Sequence, residues 1–414
     1  MKPCKHPFVV PLFGLQKAIG RLFVFLILTV AAASAQTFTS LVDFAGSNGA
    51  NPDPKALIQG ADGNLYGTAQ NGGANSSGTV FRLTPSGMLT TLYDFCALPG
   101  CADGANPVPG LVLGNDGNFY GVTSGGGTSG VGTVFKITLQ GSLITLNSLN
   151  AAIGSFPFSR LVQGPDGNFY GTTPSGGNLV ACSGFGCGTV FRITPGGALS
   201  NLYSFCSQPG CSDGAVAFDG LALGRDGNLY GTTWQGGGAN LGTVFRITTV
   251  GSLTTLYSFC SQSGCVDGNN PDWLTLGKDG NFYGTTFGGG AQNLGTVFVI
   301  SASGSLTKLY SFCSQAACAD GAQPRAGLEL AQNTGEFYGT TYYGGSNNLG
   351  SVFKITPSGQ LTTLHSFTGV DGEYPIGGML FLPSGVAYGT TAYGGSTTDG
   401  TAFSLTFQHG RASH

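Results

Sequence analysis

Charge is scarce in this chain. Lys, Arg, Asp and Glu make up 8% of its 414 residues, against roughly 25% in an average globular domain. The 16 basic and 19 acidic residues leave a formal net charge of −3, with no basic stripe anywhere along the sequence. Nucleic-acid binding is excluded on that ground, because phosphate neutralisation needs clustered Lys and Arg. Histidine is rarer still, at four, and His409 and His414 fall in the last few residues. No His-Glu-x-x-His, Gly-x-Ser-x-Gly elbow or phosphate loop is present, which removes the signatures of the commonest hydrolases and NTPases.

Long apolar runs are also missing. The run Leu22–Ala33 is 12 residues, short of the roughly 17–25 that a membrane-spanning helix requires. It follows Lys2, Lys5, Lys17 and Arg21 and ends at Ala33-Ser34-Ala35, the small residues at which a signal peptidase cuts. Residues 1–35 are therefore expected to be a cleaved export signal, with an uncleaved anchor as the alternative. The mature chain is expected to be secreted, periplasmic or extracellular, to lack a membrane span and to be monomeric.

Apart from Cys4, which would leave with the signal, the cysteines come in five pairs at one spacing. These are Cys96 and Cys101, Cys182 and Cys187, Cys206 and Cys211, Cys260 and Cys265, and Cys313 and Cys318. An even count in an exported chain points to disulfides, each worth about 2 kcal/mol in the chain-entropy account of such small loops. Zinc, the competing reading, wants four ligands together. Each pair here is assigned to its own repeat, with no histidine beside it.

What the chain has in abundance is glycine, 73 residues, arranged in a repeat. Tyr66, Tyr120, Tyr170, Tyr230, Tyr283, Tyr338 and Tyr388 each precede Gly and recur 50 to 60 residues apart. Within 199–248 four strand signals follow one another: Leu199–Phe205, Leu221–Leu223, Asn228–Thr233 and Gly242–Thr248. Alternation of apolar and polar residues, β-branched and aromatic enrichment, and Asp-Gly or Pro-x-Gly turns mark them as strands. A period of this length with several strands per unit predicts an all-β, seven-bladed β-propeller of four-stranded blades. The alternative is a linear solenoid. Copies six and seven replace Asp-Gly-Asn with Asn333-Thr-Gly-Glu and Pro383-Ser-Gly-Val, but keep the period. The first strand, Phe38–Phe44, is of the outermost type, whereas the last repeat stops at Gly400–Phe407 without one. The N-terminal strand is thus predicted to complete the last blade and close the ring. One domain spans 36–407, and 408–414 form a short tail.

The units Tyr-Gly-Thr-Thr-x-x-Gly-Gly…Gly-Thr-Val-Phe-x-Ile-Thr-Pro-x-Gly-x-Leu-Thr-Thr-Leu, almost complete between Tyr338 and Phe367, resemble the GloVer (Gloeo/Verruco) tandem repeat of exported bacterial proteins. The resemblance covers 37–407 and brings no assigned reaction, ligand or site residue. Some relatives end in a surface-sorting segment. This sequence ends at Gln408–His414 without an apolar tail, which favours release over anchoring as the expectation.

Strand order puts the short Asp-Gly-Asn and Pro-Ser-Gly turns on one face and the long loops, where binding residues tend to sit, on the other. Asp62, Asp116, Asp166, Asp226 and Asp279 read as turn residues. On the long-loop face Asp103, Asp213, Asp267, Asp320 and Asp371 precede Gly after the Cys pairs. They are candidate ligands for a Ca²⁺ ring around the channel mouth, or else caps of their own turns. Residues departing from the repeat are the other candidates. Trp234 and Trp273, placed in loops of this face, and Tyr342 and Tyr343 suit stacking on sugars or a protein partner; Arg160 and Arg325 suit a carboxylate. His365 stands where other copies have Tyr and reads as a packed position. The resulting expectation is a binding or scaffold protein for a carbohydrate or extracellular protein. A polysaccharide hydrolase or lyase using Glu329, Glu336 or Glu373 is the alternative; otherwise no cofactor is expected.

Overall fold

The computed structural model describes residues 36–52, 57–108, 110–180 and 182–407. The expected signal and the tail lie outside them. Seven antiparallel sheets are arranged as a seven-bladed propeller, each with its strands in the order a, b, c, d from the axis outward. The fourth blade is representative, with Ala222–Leu223, Leu229–Thr233, Thr243–Ile247 and Leu253–Ser258. Its register pairs Tyr230 with Arg246 and Gly231 with Phe245, and shifts between Val244 and Phe245 where the outermost strand is added. The same irregularity recurs in the other blades, for example at Val80/Phe81 and Val352/Phe353. Such bulges increase local twist, which lets the outer strand turn away from the inner three.

The ring closes as the strand order predicts. Gln36–Asp43 pairs antiparallel with Thr401–Phe407, from Gln36 opposite Phe407 to Asp43 opposite Thr401. It supplies the fourth strand to Leu380–Phe381 and Val386–Thr391. Phe38 lies flat on His365 at 3.7 Å and packs on Phe403 at 5.2 Å.

The core lies between blades, so each Tyr-Gly dipeptide has two tasks. Tyr230 is buried and stacks at 4.1 Å on Phe282 of the next blade, as Tyr283 does on Phe337. The following glycine makes room for the strand-c phenylalanine: a Cβ on Gly231 would lie 2.6 Å from Cζ of Phe245. The tyrosine hydroxyl donates to the turn below it, Tyr230 to Asp226 at 2.8 Å, and Asp226 also accepts from both nitrogens of Asn228. Burial, and then that carboxylate, push the Tyr230 hydroxyl up to about 12. In the sixth copy Glu336 takes the place of the aspartate, accepting from Tyr338 at 3.3 Å. The decayed motif thus keeps its contact.

All five cysteine pairs are disulfides, as their even number and spacing predict. Cys96 is bonded to Cys101, Cys182 to Cys187, Cys206 to Cys211, Cys260 to Cys265, and Cys313 to Cys318.

Two placements differ from the sequence reading. Trp273 lies on an inner strand, Asn269–Leu276, which is longer than its counterparts because its pairing with Phe282–Gly288 continues past an irregularity between Pro271 and Leu274. The position of one disulfide is the other. Four of them, those ending at Cys101, Cys211, Cys265 and Cys318, close d–a loops, each with a short 3-10 turn over its last residues. Cys182–Cys187 instead joins the b–c loop of the third blade. Cys206–Cys211 follows strand d of that same blade, and sulfurs of Cys182, Cys187 and Cys206 lie within 4.8 Å of one another. Two pairs thus flank the third blade, although by the repeat unit that starts at Leu199 each pair still lies in its own copy, as assigned.

A candidate ligand-binding face

The d–a and b–c loops meet on one face. Backbone bridges Ala215–Gln235, Ala322–Tyr343 and Glu373–Tyr393 tie each d–a loop to the start of the b–c loop in the next blade. The second cysteine of a pair takes part in the same connection. The Cys265 carbonyl accepts from the amides of Gly268 and Gly290, both at 2.9 Å, and the Cys318 carbonyl from those of Gly321 at 2.8 Å and Gly345 at 3.0 Å. Side chains from these loops are thereby fixed around the channel mouth by main-chain geometry.

The aspartates take a different role from the proposed metal ring. Asp103 is buried and turned into its own loop, accepting from the Tyr93 hydroxyl and the Ala97 amide at 2.9 Å and from the Leu98 amide at 3.1 Å. Asp213, Asp267 and Asp320 repeat this with Tyr203, Tyr257 and Tyr310, each at 2.8 Å. On the outer strand of the sixth blade His365 replaces the tyrosine, its Nε2 2.7 Å from Asp371. Among the described residues no three carboxylate or imidazole groups converge within metal-ligating reach. The physical reason is local: the aspartate holds together a disulfide-closed loop whose cysteines adopt positive φ, 59° at Cys96 and 51° at Cys101, 56° at Cys260 and 52° at Cys265, 59° at Cys313 and 53° at Cys318. Side chains disfavour that conformation.

The aromatic residues, by contrast, are brought together. Phe158 lies 5.9 Å from Phe218, Phe218 is 6.3 Å from Trp234, and Trp234 is 5.5 Å from Phe287. The Arg325 guanidinium then bridges Phe287, 4.4 Å from its centroid, and Tyr342, at 5.4 Å. Tyr342 packs on Tyr343 at 4.6 Å and on Tyr374 at 5.0 Å, and Tyr374 reaches Tyr393 at 6.4 Å. The result is a continuous aromatic arc across five blades, with a cation over its middle. It is accessible at one end, where Tyr343 and Tyr393 are 37% and 45% exposed. At the other end it runs into a groove of about 520 Å³ beside Phe156, Phe158 and Phe185.

Inside the mouth the inner strands of several blades line a small cavity of about 50 Å³. Arg160, Trp273 and Glu329 are on its wall, with the Arg160 guanidinium 5.4 Å from the Trp273 ring centroid. Most equivalent positions in other blades are glycine: Gly110, Gly220, Gly327 and Gly378. Trp273 uses that space, since a Cβ on Gly220 or Gly327 would meet its side chain at 2.3 and 2.8 Å. Burial raises Glu329 to about 7, although the Arg160 charge and a hydrogen bond with the Phe381 backbone pull it down. Glu336 is bound instead to Lys354 at 2.9 Å, in the short turn after strand a, so the structure does not bring it together with Glu329 as a catalytic pair.

The raised Glu329 value has a stability consequence. Its folded-state value lies above the unfolded one, so the folded state binds its proton more tightly. The associated stability is present below the ordinary carboxylate range and is lost as pH rises through about 7. Glu329→Gln is therefore expected to match the parent at pH 5 and to exceed it at pH 8.5 by on the order of 1–3 kcal/mol. Melting temperatures measured across that range check this, and parallel curves would contradict it.

The family model of the Gloeobacter/Verrucomicrobia repeat matches residues 23–223, 97–272 and 220–413. The chain belongs to the Gloeobacter/Verrucomicrobia repeat family. No curated protein matches it. Among solved structures it is similar to the extracellular domain of a candidate hybrid two-component system from Bacteroides thetaiotaomicron, with a TM-score of 0.56 and 12% identity. That match covers 89% of this chain and 42% of the other, so this chain spans less than half its length. A candidate 6-phosphogluconolactonase from Bacteroides uniformis gives a TM-score of 0.51 at 18% identity, covering 79% and 88% of the two chains. A puromycin hydrolase gives 0.50 at 14%, covering 83% and 50%. At such identities the likeness is one of fold.

Within this Gloeobacter/Verrucomicrobia repeat chain, the arc takes in Trp234, Tyr342, Tyr343 and Arg325 of the singled-out residues, while Arg160 and Trp273 lie deeper, in the cavity. Phe158, Phe218, Phe287, Tyr374 and Tyr393 belong to the same arc and escaped the sequence reading. Only Phe287 carried a positional signal: the residue after Tyr-Gly-Thr-Thr is Pro174, Trp234, Phe287 and Tyr342 in four successive copies, whereas Gln70, Ser124 and Ala392 correspond to it in the others.

Proposed function

We propose that this chain is an exported binding module that holds a carbohydrate chain along the aromatic arc of its long-loop face. The observation behind this reading is the run from Phe158 through Trp234 to Phe287, joined by Arg325 to Tyr342, Tyr374 and Tyr393. The fold does not require an aromatic where Trp234, Phe287 and Tyr342 stand, because the other copies of the repeat have Gln70, Ser124, Pro174 and Ala392 there. Flat rings with a polar edge suit the apolar faces of sugars, and a rigid propeller avoids the ordering cost that a flexible loop would incur. Five disulfides support an oxidising compartment outside the cytoplasm.

A glycan-array screen of residues 36–414, run with and without EDTA, tests the proposal. The expected result is binding that persists in EDTA. Binding abolished by EDTA would return the argument to calcium and the five aspartates. No glycan binding under either condition would overturn the carbohydrate reading in favour of a protein partner.

A further inference from the structure

The axial cavity holds groups that the aromatic arc does not use. Arg160 is half-buried and comes from the third blade, where four of the other copies have glycine. Among the described residues no carboxylate is within ion-pair distance of it. Its interaction with Glu329 acts across the cavity from the sixth blade, and Asp219 of the fourth blade is also on the wall. Arg325, exposed at the rim, lines the same cavity. A guanidinium withdrawn from bulk water without an ion pair is costly unless something else satisfies it. Its planar donor fork matches a carboxylate in two parallel hydrogen bonds.

Size narrows the choice of ligand. About 10–15 Å³ accommodates one water, so a cavity of about 50 Å³ admits a few waters or one small planar group. A sugar ring is too large to enter and would remain at the mouth, where Arg325 and Tyr342 lie.

We infer that the axial cavity receives the carboxylate of an acidic sugar, held by Arg160 inside and Arg325 at the rim above the Trp273 ring. This rests on the carbohydrate reading for the sugar, but not for the carboxylate. The polymer on the arc would then be one bearing uronic acids, with one acid group turned inward.

The sequence contains only two tryptophans, so Trp234→Phe leaves Trp273 as the single indole reporter, next to Arg160. Sodium D-glucuronate titrated into this variant at constant ionic strength is expected to give a saturable change in Trp273 emission, and D-glucose none. Adding Arg160→Met, which keeps an apolar stem over the indole, is expected to weaken the response at least tenfold. If that variant fails to fold by its melting curve, Arg325→Met at the exposed rim decides instead, with an expected loss of several-fold. A silent titration, an equal response to glucose, or a response unchanged by the arginine substitutions would overturn the inference. Saturable glucuronate binding in a protein that binds no polysaccharide would uphold the carboxylate site while the arc reading failed. Polysaccharide binding with a silent cavity would do the reverse.

Discussion

A chain beginning at Ala45 is expected to melt on the order of 10 °C lower than one beginning at Gln36 and to self-associate. Gln36–Asp43 provides the outer strand of the last blade through seven register pairs with Thr401–Phe407, and the Gln36 side chain donates to the Leu364 carbonyl of the preceding blade. Phe38 packs against His365, Phe367 and Phe403, and losing a packed phenylalanine alone costs about 3–5 kcal/mol when it is buried. Truncation would also leave the hydrogen-bonding edge of Thr401–Phe407 unpaired, a template for joining another chain. Differential scanning calorimetry and size-exclusion chromatography of the two proteins check both outcomes. An unchanged melt with a monomeric profile would mean that the closing strand contributes little to holding the ring.

The second large effect concerns binding. Trp234→Ala combined with Tyr342→Ala is expected to weaken the glycan identified on the array by about a thousandfold. Central aromatic contacts are commonly worth 2 kcal/mol or more apiece, and about 4 kcal/mol corresponds to three decades in Kd. Both side chains are half-buried and sit on the bridge between loops, with Trp234 between Phe218 and Phe287 and Tyr342 beside Arg325. The paired conservative variant, Trp234→Phe with Tyr342→Phe, retains flat apolar faces and is expected to recover most of the affinity. Titration calorimetry separates the two, and thermal melts check that neither has unfolded. Full affinity in the alanine pair would place the ligand elsewhere.

The blades were legible because their determinants recur. Tyr230 stacks forward, Gly231 admits Phe245, and Asp226 receives the tyrosine hydroxyl; each contact is formed by residues close in sequence or at the same position of adjacent copies. The missing outer strand after Thr401–Phe407 was similarly visible as an offset between the first and last repeats. The arc was harder to read, because its members are single residues in different copies that only the curvature of the ring brings together. With 29 Phe and 15 Tyr in the chain, most of them strand residues, Phe218 or Tyr374 did not stand out. The two tryptophans did. Trp273 was nevertheless placed in a loop, because the irregular pairing that carries its strand back to Asn269 leaves no alternation of apolar and polar residues to detect. The aspartates left two readings open for the opposite reason: a recurring carboxylate next to a loop suits a ligand set or a loop cap, and recurrence is also what a structural hydrogen bond such as Tyr310 to Asp320 produces.

The terminal latch has a temporal meaning as well as a stabilising one. The first strand of the ring, Gln36–Asp43, finds its partner only when Thr401–Phe407 exists, nearly the whole length of the propeller later. Blades one to six can assemble from neighbours in sequence, but the last contact joins the two most distant parts of the molecule and bears the full loop-closure entropy of the chain. Until then one end offers a bare strand and the other a bare edge. The propeller is therefore least protected at the moment when it is almost finished, and whatever delays its C-terminal repeat prolongs that interval.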